Sequence, residues 1–400
     1  MTPSPFSAVR LKPKTDARRI RHGAPWLYSN DLVLDRRTKS LPAGSIVQLE
    51  DAGREFLAWA ALTPGSKIAI RVLDRDPDAV INAKWVAVRI ATAAAMREHM
   101  FDAPYYRLVH AEADGLPGVV IDRFGDVAVF QPNAAWADRM QQAFVDALMD
   151  GLGIKTVIIN GTGRARTLEG LEDLRTVAAG PAPDGPIPVP MNGATYMADL
   201  MGGQKTGLFY DQRPNHAFAQ SLCRGARVLD VFSHVGGFGL AALAGGAQSA
   251  LAVDGSADAL ALAQDGASAM GMADRFDTRK GDAFETLQAL AQEQQTFDVV
   301  ICDPPAFAPN KQALEAGLRA YERIARLAAP LVAPGGYMAL CSCSHAAEIG
   351  KFRAASMRGI GRAGRKAQIL HTGFAGADHP THPSLAESGY LKAIFVRLMD

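Results

Sequence analysis

Cysteine is scarce in this chain of 400 residues, which contains only Cys223, Cys302, Cys341 and Cys343. Cys341 and Cys343 are too close in sequence for an easy disulfide, so a reducing compartment is expected. The spacings match no zinc-binding pattern. We therefore expect neither a disulfide framework nor a metal site.

Long hydrophobic segments are also missing. No run of about 18 apolar residues, roughly the length that crosses a bilayer, occurs in the chain. The N-terminal residues MTPSPFSAVRLKPK contain no apolar core of a signal peptide. The sequence predicts a soluble cytoplasmic protein without a membrane partner.

Neither sign of charge dominates, since 42 Lys and Arg residues face 41 Asp and Glu residues. Such a balance gives no overall field that attracts a polyanion, so a nucleic-acid surface must be a local patch. One candidate is KPKTDARRIRHGAPWLYS, in which Arg18, Arg19 and Arg21 precede Trp26 and Tyr28. Basic residues beside aromatic ones suit phosphate contact and base stacking, although a solvated basic edge has the same composition.

The length predicts two or three domains. Residues 1–76 contain short strand-like runs between Pro and Gly turns, typical of a small barrel or sandwich. Residues 77–188 contain a helical pattern and then a strand, strand, helix, strand unit of the α+β class. Residues 189–400 alternate strand and helix patterns and end in a predicted antiparallel pair. The chain as a whole is predicted to be α/β.

Reactive clusters follow two apolar strand patterns in the C-terminal domain. FDVVICDPPAFAPNK places Asp303, Pro304 and Pro305 after one strand, and GGYMALCSCSH places Cys341 and Cys343 after the other. Groups at the carboxyl ends of neighbouring parallel strands face one crevice. A carboxylate and a thiol are therefore expected to share a site.

A glycine turn supplies the third part of this site. ARVLDVFSHVGGFGLAAL predicts a strand, a turn containing Gly236 and Gly237, and an apolar helix, and further strands end at Asp254 and Asp282. Glycine allows close approach of the backbone to a ligand. The spacing differs from GxGxxG, and acidic residues end successive strands. The pattern favours S-adenosylmethionine over NAD as the cofactor. It also predicts that the domain is Rossmann-like, with a doubly wound sheet.

These blocks together resemble the RlmI-type S-adenosylmethionine-dependent methyltransferases of large-subunit ribosomal RNA. The resemblance covers nearly the whole chain, through RRIRHGAPWLYS, YRLVHAEADGLPGVVIDRFGD, KTGLFYDQRPN, VFSHVGGFGL, VICDPPAFAPNK, CSCS and GYLKAIF. It implies an N-terminal PUA domain, a small central α+β domain and a Rossmann-like catalytic domain. The chain departs from the family at two positions. An aromatic residue is expected in place of Cys341, and a small residue is expected in place of His345.

The resemblance also implies a cofactor site. Asp254 resembles the residue that binds the ribose hydroxyls, and Asp282 resembles the residue that accepts from the adenine amine. Taken in isolation, either acid is better explained as a helix N-cap or a solvated strand end. The residues around the methionine end of the cofactor are Thr206, Phe209, Asp211, Gln212, Arg213, Asp230, Phe232, Ser233, Gly236 and Gly237, with Asp303 also at the cofactor.

The family's cysteine aligns with Cys343, which implies formation of 5-methylcytosine. Cytosine C5 is a poor nucleophile until a thiolate adds at C6, so such an enzyme needs a cysteine. Cys343 is the predicted nucleophile, and Asp303 is predicted to hydrogen-bond the cytosine edge at N3. Cys223 and Cys302 are predicted to be structural, and the role of Cys341 stays open.

RNA contacts are expected in three places. Arg18, Arg19 and Arg21 are predicted to contact phosphates, with Arg164 and Arg166 as a second candidate. Pro304 and Pro305 are expected to fix the backbone at the target base, and Phe307 is expected to stack on that base, which must leave its helix to react. Large-subunit ribosomal RNA is the predicted partner, and the sequence leaves open whether the protein forms a homodimer.

Three other functions fit part of the sequence. Asp-Pro-Pro-aromatic marks exocyclic amino methyltransferases, which need no cysteine, but Ala306 separates Pro305 from Phe307 here. Related ribosomal RNA enzymes methylate guanine with a similar domain. A non-catalytic RNA-binding ribosome-assembly factor is the third hypothesis, against which the intact glycine turn and acidic strand ends argue.

Overall fold

Three sheets of more than two strands follow one another along the chain, in the order that the sequence predicts. The structure, a computed structural model, describes residues 7–202 and 207–399. It divides into two compact units, the first formed by 1–184 and 377–385 and the second by 185–203, 207–376 and 386–400, apart from residues outside the described ranges.

The N-terminal part of the first unit is a six-stranded sheet of order β2-β6-β5-β4-β1-β3. Val47 and Leu49 alternate with more exposed residues along β4, as expected for a strand with one buried face. The elements are β1 Ala8–Leu11, α1 Arg18–Arg21, β2 Trp26–Tyr28, β3 Leu32–Val33, α2 Arg36–Lys39, β4 Ser45–Glu50, β5 Phe56–Leu62 and β6 Ile68–Asp74.

A five-stranded sheet of order β11-β10-β9-β8-β7 follows, with a core that contains the rings of Phe130, Trp136 and Phe144. Its first helix is capped by the Asn82 side chain, which accepts from the Trp85 amide. The elements are α3 Ala83–Met100, β7 Tyr105–His110, β8 Val119–Phe124, β9 Val127–Pro132, α4 Ala135–Arg139, α5 Gln141–Leu152, β10 Thr156–Gly161, α6 Arg164–Leu168 and β11 Leu174–Ala179.

A segment from the C-terminal part of the chain, residues 377–385, belongs to the first unit. The guanidinium of Arg97, which is fully buried, forms two bonds of 2.6 and 2.7 Å with Asp114 and donates to the Asp378 carbonyl at 3.0 Å. The Asp378 carboxylate accepts from the Arg107 amide at 3.0 Å. The sequence analysis included this segment in the domain 189–400, and the division of the chain into three domains stays a prediction.

The second unit contains a two-stranded hairpin and a seven-stranded sheet of order β16-β15-β14-β17-β18-β20-β19. The first five strands of that order are parallel, and β20 pairs antiparallel with β18 and β19. The elements are β12 Ile187–Met191, β13 Ala194–Ala198, α7 Arg213–Ser221, β14 Arg227–Val231, α8 Gly237–Ala244, β15 Ser249–Asp254, α9 Ala257–Ala269, β16 Phe276–Lys280, α10 Ala283–Gln292, β17 Phe297–Cys302, α11 Leu314–Ala328, β18 Val332–Ser342, α12 Ile349–Arg362, β19 Lys366–Phe374 and β20 Lys392–Met399.

The strand order reverses beside β14, since the chain runs from β14 outward to β15 and β16 and then returns to β17. A crevice forms at such a reversal, outside the carboxyl ends of the strands. Those ends are Val231 in β14 and Cys302 in β17, which pair with one another in the sheet. The fold therefore brings the glycine turn and the Asp303 cluster to the same edge.

Candidate active site

The glycine turn after β14 has an unusual backbone. Phe232 and His234 have φ angles of 65° and 50°, in the left-handed region that side chains other than glycine seldom occupy. The His234 amide donates to Asp254 Oδ2 at 2.9 Å, which helps to hold the turn. Backbone strain of this kind is concentrated at ligand sites.

His216 forms one wall of the site, and the sequence analysis missed it. A Cβ atom on Gly237 would lie 3.0 Å from His216 Nε2, so a larger residue there would press against the imidazole. Burial lowers the pKa of His216 to about 3, and the imidazole is therefore neutral. The only signal in the sequence was its place directly after the block KTGLFYDQRPN.

Asp230 lies fully buried at the end of β14. Its Oδ2 accepts the Gly239 amide at 2.8 Å, whereas Oδ1 has no hydrogen-bond partner among the described residues. Burial raises the pKa of this carboxyl to about 7, and the hydrogen bond from the Gly239 amide opposes that rise. A ligand that brings positive charge or hydrogen-bond donors would stabilise the ionised form.

A cavity opens beside these groups in the second unit. Ser233 Oγ and His216 Nδ1 are buried there and have no hydrogen-bond partner within the described part of the chain. Buried polar atoms of this kind normally have a partner, so they fit a polar ligand such as the amino-acid end of S-adenosylmethionine. The lining residues are Leu208, Phe209, Gln212, His216, Phe232, Ser233, His234, Val235, Gly237, Phe238 and Asp303.

Asp254 is the last residue of β15, and Asp282 directly precedes α10. Asp254 accepts the amides of His234 and Ser256 at 2.9 and 2.8 Å, one on each oxygen, and each oxygen retains a lone pair for a hydroxyl donor. Asp282 caps α10 through Oδ1, which accepts from Phe284 and Glu285. Asp282 is therefore a helix N-cap, the alternative that the sequence analysis named. The contacts of Asp254 with the ribose and of Asp282 with the adenine remain predictions.

Asp303 follows β17 and contacts Gln212, one of the residues predicted around the methionine end of the cofactor. Gln212 Nε2 donates to Asp303 Oδ2 at 2.9 Å, and Asn215 Nδ2 donates to Gln212 Oε1 at 2.6 Å. Although part of the residue is exposed, burial of its carboxyl raises the pKa of Asp303 to about 8, and the nearby charge of Asp211 adds to this. The carboxyl is therefore mostly protonated at neutral pH.

Asp211 and Arg213 complete this segment. The Tyr390 hydroxyl donates to Asp211 Oδ2 at 2.6 Å, and the Arg213 guanidinium lies over the Tyr210 ring, 5.4 Å from its centroid. Thr206, which was also predicted to bind the cofactor, lies outside the described residues. The remaining predicted cofactor residues of this block are placed together by the structure.

The cysteines differ in their surroundings. Cys223 and Cys302 are fully buried, consistent with structural roles, and Cys341 is 1% exposed with its thiol pKa raised by burial. Cys343 lies just beyond the end of β18 and is partly exposed. Of the four, Cys343 alone has appreciable exposure, as a nucleophile requires.

Three predicted base contacts lie in the loop after β17. Pro304 is buried and Pro305 exposed. The ring of Phe307 packs with Tyr321, Phe284 and Phe232, at centroid distances of 5.0, 6.1 and 6.3 Å. This packing gives Phe307 a structural role, and stacking on a base remains a prediction.

The predicted phosphate contacts of α1 are exposed. Arg18 pairs with Asp16 at 3.0 Å and Arg21 with Asp51 at 3.1 Å, whereas Arg19 makes no ion pair within the described ranges. A cavity at this helix is lined by Asp16, Arg18, Arg19, His22, Ala24 and Ser384. The aromatic pair is divided, since Tyr28 is exposed and the Trp26 indole donates to Glu112.

Arg166 corrects one prediction. It is 3% exposed, pairs with Asp138 at 2.6 Å and donates to the carbonyls of Pro132 and Glu172. A guanidinium committed to these partners is unavailable to a phosphate, so Arg166 is structural. Arg164 is exposed and remains a candidate.

Metal clusters and membrane-spanning helices are both missing from residues 7–202 and 207–399. Within these ranges, no group of three or more His, Cys, Asp or Glu side chains is placed to hold a metal ion. No helix there combines the length and hydrophobicity needed to span a bilayer.

Comparison with protein families gives two matches. Residues 9–75 match a PUA-like domain, and residues 183–397 match the S-adenosylmethionine-dependent methyltransferase family. The matches agree with the predicted order of a PUA domain before a catalytic domain.

Similar proteins extend over the full length. Ribosomal RNA large subunit methyltransferase I of Photobacterium profundum is 35% identical over 391 residues, 96% of this chain and 98% of the relative. The protein of that name from Shewanella denitrificans is 33% identical over 394 residues, 98% and 99% of the two chains.

Solved structures support the fold. A protein of Streptococcus mutans assigned as an S-adenosylmethionine-dependent methyltransferase has a TM-score of 0.81 at 19% identity, over 98% of this chain and all of that one. Another assigned methyltransferase, crystallised with SAH, also has a TM-score of 0.81 at 21% identity, over 98% of this chain and 99% of its own. The domain matches and full-length relatives together establish that this chain belongs to the S-adenosylmethionine-dependent methyltransferases, in the family of ribosomal RNA large subunit methyltransferase I.

Proposed function

We propose that this enzyme methylates C5 of a cytosine in large-subunit ribosomal RNA, with Cys343 as the nucleophile. The observation that carries the proposal is the partly exposed Cys343 just beyond β18. That strand pairs with β17, which is followed by Asp303 in the lining of the cavity. The relatives are named for ribosomal RNA of the large subunit, and we extend that substrate to this chain.

The chemistry requires a thiolate at Cys343. Its sulfur adds to cytosine C6, the C5–C6 π electrons shift toward C4, and N3 takes up a proton. C5 then attacks the methyl group, which the bound S-adenosylmethionine supplies from its sulfonium. S-adenosylhomocysteine would be the leaving group of that transfer. Loss of the C5 proton to a base and return of the N3 proton to its donor restore the C5–C6 double bond and expel the cysteine thiolate.

Asp303 is suited to supply the proton at N3. A neutral carboxyl donates a hydrogen bond, and the raised pKa of Asp303 keeps it neutral at physiological pH. Gln212 fixes the orientation of that carboxyl through Oδ2. Asp230, Ser233 and the turn at Gly236 and Gly237 would hold the cofactor's methionine end, with Asp254 at its ribose.

Exocyclic amino methylation is a second candidate, favoured by Asp303-Pro304-Pro305. In that reaction the carboxylate and a backbone carbonyl hold the amine, and no cysteine takes part. Ala306 weakens the match to the motif. A guanine product, or binding without catalysis, would support the other functions that the sequence leaves open.

The proposal is tested by identifying the product. We expect the purified protein with labelled S-adenosylmethionine to modify large-subunit ribosomal RNA from cells that lack this protein, and nucleoside mass spectrometry to show 5-methylcytosine at one position. RNA from cells that contain the protein is the control, because its site is already methylated. A methylated guanine, an N4-methylated cytosine, or cofactor binding without transfer would contradict the proposal.

Replacing Arg18, Arg19 and Arg21 by glutamine is expected to weaken RNA binding by about tenfold or more and to lower the salt slope by about two to three. Each phosphate contact releases counterions, so losing contacts reduces both quantities. Affinity measured at several salt concentrations checks this.

The control for this variant replaces Arg36, Lys39 and Lys67, which are exposed basic residues of the same sheet domain. It removes the same charge and should change the salt slope little. Equal effects of the two triple variants would mean that α1 acts through overall charge alone. A cytoplasmic location remains a prediction.

A further inference from the structure

Cys343 lies in a short segment that is held from two sides. Its neighbours Ser342 and Ser344 are both fully buried. The Ser342 hydroxyl donates to the Tyr321 hydroxyl at 2.8 Å, which lies 2.8 Å from Ser344 Oγ. Tyr321 of α11 therefore bridges the residues before and after the cysteine.

The same network reaches the Asp303 loop. Ser344 Oγ accepts the amide of Ala308 at 2.9 Å, within the loop that follows β17. The two reactive segments, one after β17 and one after β18, are thus connected by a buried hydrogen bond. A shift of either segment would break it.

Lys392 is the charged member of this cluster. It is 4% exposed, and its Nζ donates to the carbonyls of Ser344 at 2.7 Å and Ala347 at 2.8 Å. Lys392 begins β20 and pairs with Ser342 in the sheet, which fixes its position beside the cysteine segment. A lysine is seldom buried unless its charge has a partner.

The negative charge of a Cys343 thiolate would be such a partner, one residue before the Ser344 carbonyl that Lys392 binds. Burial lowers the pKa of Lys392 to about 8, and the charge of a Cys343 thiolate acts in the opposite direction. The interaction is mutual, so the ammonium favours the thiolate by as much as the thiolate favours the ammonium. Below pH 8 the lysine is mostly charged and can exert this effect.

We propose that Lys392 is a positioning residue that fixes the Cys343 segment and stabilises the Cys343 thiolate through its positive charge. The catalytic use of that thiolate rests on the proposed function, whereas the interaction between the two side chains does not. Tyr321 also contacts the segment; burial raises the pKa of its hydroxyl and the thiolate raises it further, so this hydroxyl stays neutral. His345 and Glu348 of the same loop are exposed to solvent.

The experiment measures the reactivity of Cys343 toward iodoacetamide, in which the thiolate displaces iodide from carbon. The full chain is alkylated from pH 6 to 10, and fragmentation mass spectrometry assigns the label to Cys343 rather than Cys341. Lys392→Gln keeps a donor for the two carbonyls but removes the charge. Lys392→Arg retains the charge.

We expect Lys392→Gln to react about tenfold more slowly at pH 7, which corresponds to a rise of about one unit in the pKa of the thiol. Lys392→Arg should stay within about threefold of the unchanged protein. Lys366→Gln, which removes an exposed lysine of β19, is the matched control and should react at the original rate. Cofactor binding of each variant, by calorimetry, verifies that the fold persists.

A Lys392→Gln rate within about twofold of the original would overturn the proposal. The two hypotheses can fail separately. If Cys343→Ala still methylates RNA while Lys392→Gln slows alkylation, covalent catalysis is wrong and the side-chain interaction stands. If Cys343→Ala is inactive but Lys392→Gln is alkylated at the original rate, covalent catalysis stands and the side-chain interaction is wrong.

Discussion

Replacing Cys343 by alanine is expected to lower the methylation rate by roughly a thousandfold or more. Without the thiolate, C5 of cytosine stays too weak a nucleophile to attack the methyl group. Because Cys343 is partly exposed at a strand end, the change removes little buried surface and should leave stability and cofactor affinity nearly unchanged. Single-turnover methylation with labelled cofactor measures the effect.

Cys341→Ala is the matched control, since it removes a thiol two residues earlier, near the end of β18. Its sulfur is buried and its pKa is raised, so we expect methylation within about tenfold of the original rate. RNA that carries 5-fluorocytosine adds a direct observation. Fluorine leaves no C5 proton to remove, so a protein–RNA adduct should accumulate with the unchanged protein and not with the Cys343→Ala variant. Retained activity of Cys343→Ala would exclude the covalent mechanism.

Replacing Asp303 by alanine is expected to lower the rate by about a hundredfold to a thousandfold, the usual contribution of a positioned proton donor. The donor must be protonated, and its pKa is about 8, so activity should persist below that pH and fall as the pH rises through it. The thiolate of Cys343 acts oppositely, since its fraction grows with pH. The pH profile of kcat/KM should therefore be bell-shaped.

Asp303→Asn distinguishes the source of the alkaline decrease. Asparagine donates a hydrogen bond to N3 but transfers no proton and does not titrate, so the variant should be slower and lose the decrease above pH 8. The pKa of Lys392 is also about 8, and loss of its charge would lower activity in the same range. An unchanged alkaline decrease in Asp303→Asn would assign it to Lys392 instead.

Local sequence patterns predicted the elements that position the site. The apolar run before Asp303, the glycine turn and the final antiparallel pair all appear where their periodicity placed them. Such elements are predictable because burial of one face and the turn chemistry are encoded within a few residues. The single helix predicted in the strand, strand, helix, strand unit is divided at Met140 into α4 and α5.

Long-range contacts were beyond the reach of those patterns. Arg166 looked like a surface arginine, because nothing nearby in sequence indicates that Pro132 and Asp138 would enclose it. His216 belongs to no motif, and only the fold brings it against Gly237. Lys392 similarly acquires its carbonyl partners from a segment about 45 residues earlier.

The contribution of residues 377–385 to the first unit affects how the protein is made. Asp378 follows its buried partner Arg97 by 281 positions, so a ribosome that has finished both N-terminal sheets has not yet synthesised one of the groups that bind this arginine. Until then a buried cation lacks part of its hydrogen bonding, which is costly. Nascent chains that terminate before this point, and fragments expressed from the N-terminal half, should therefore be preferred substrates of cellular proteases.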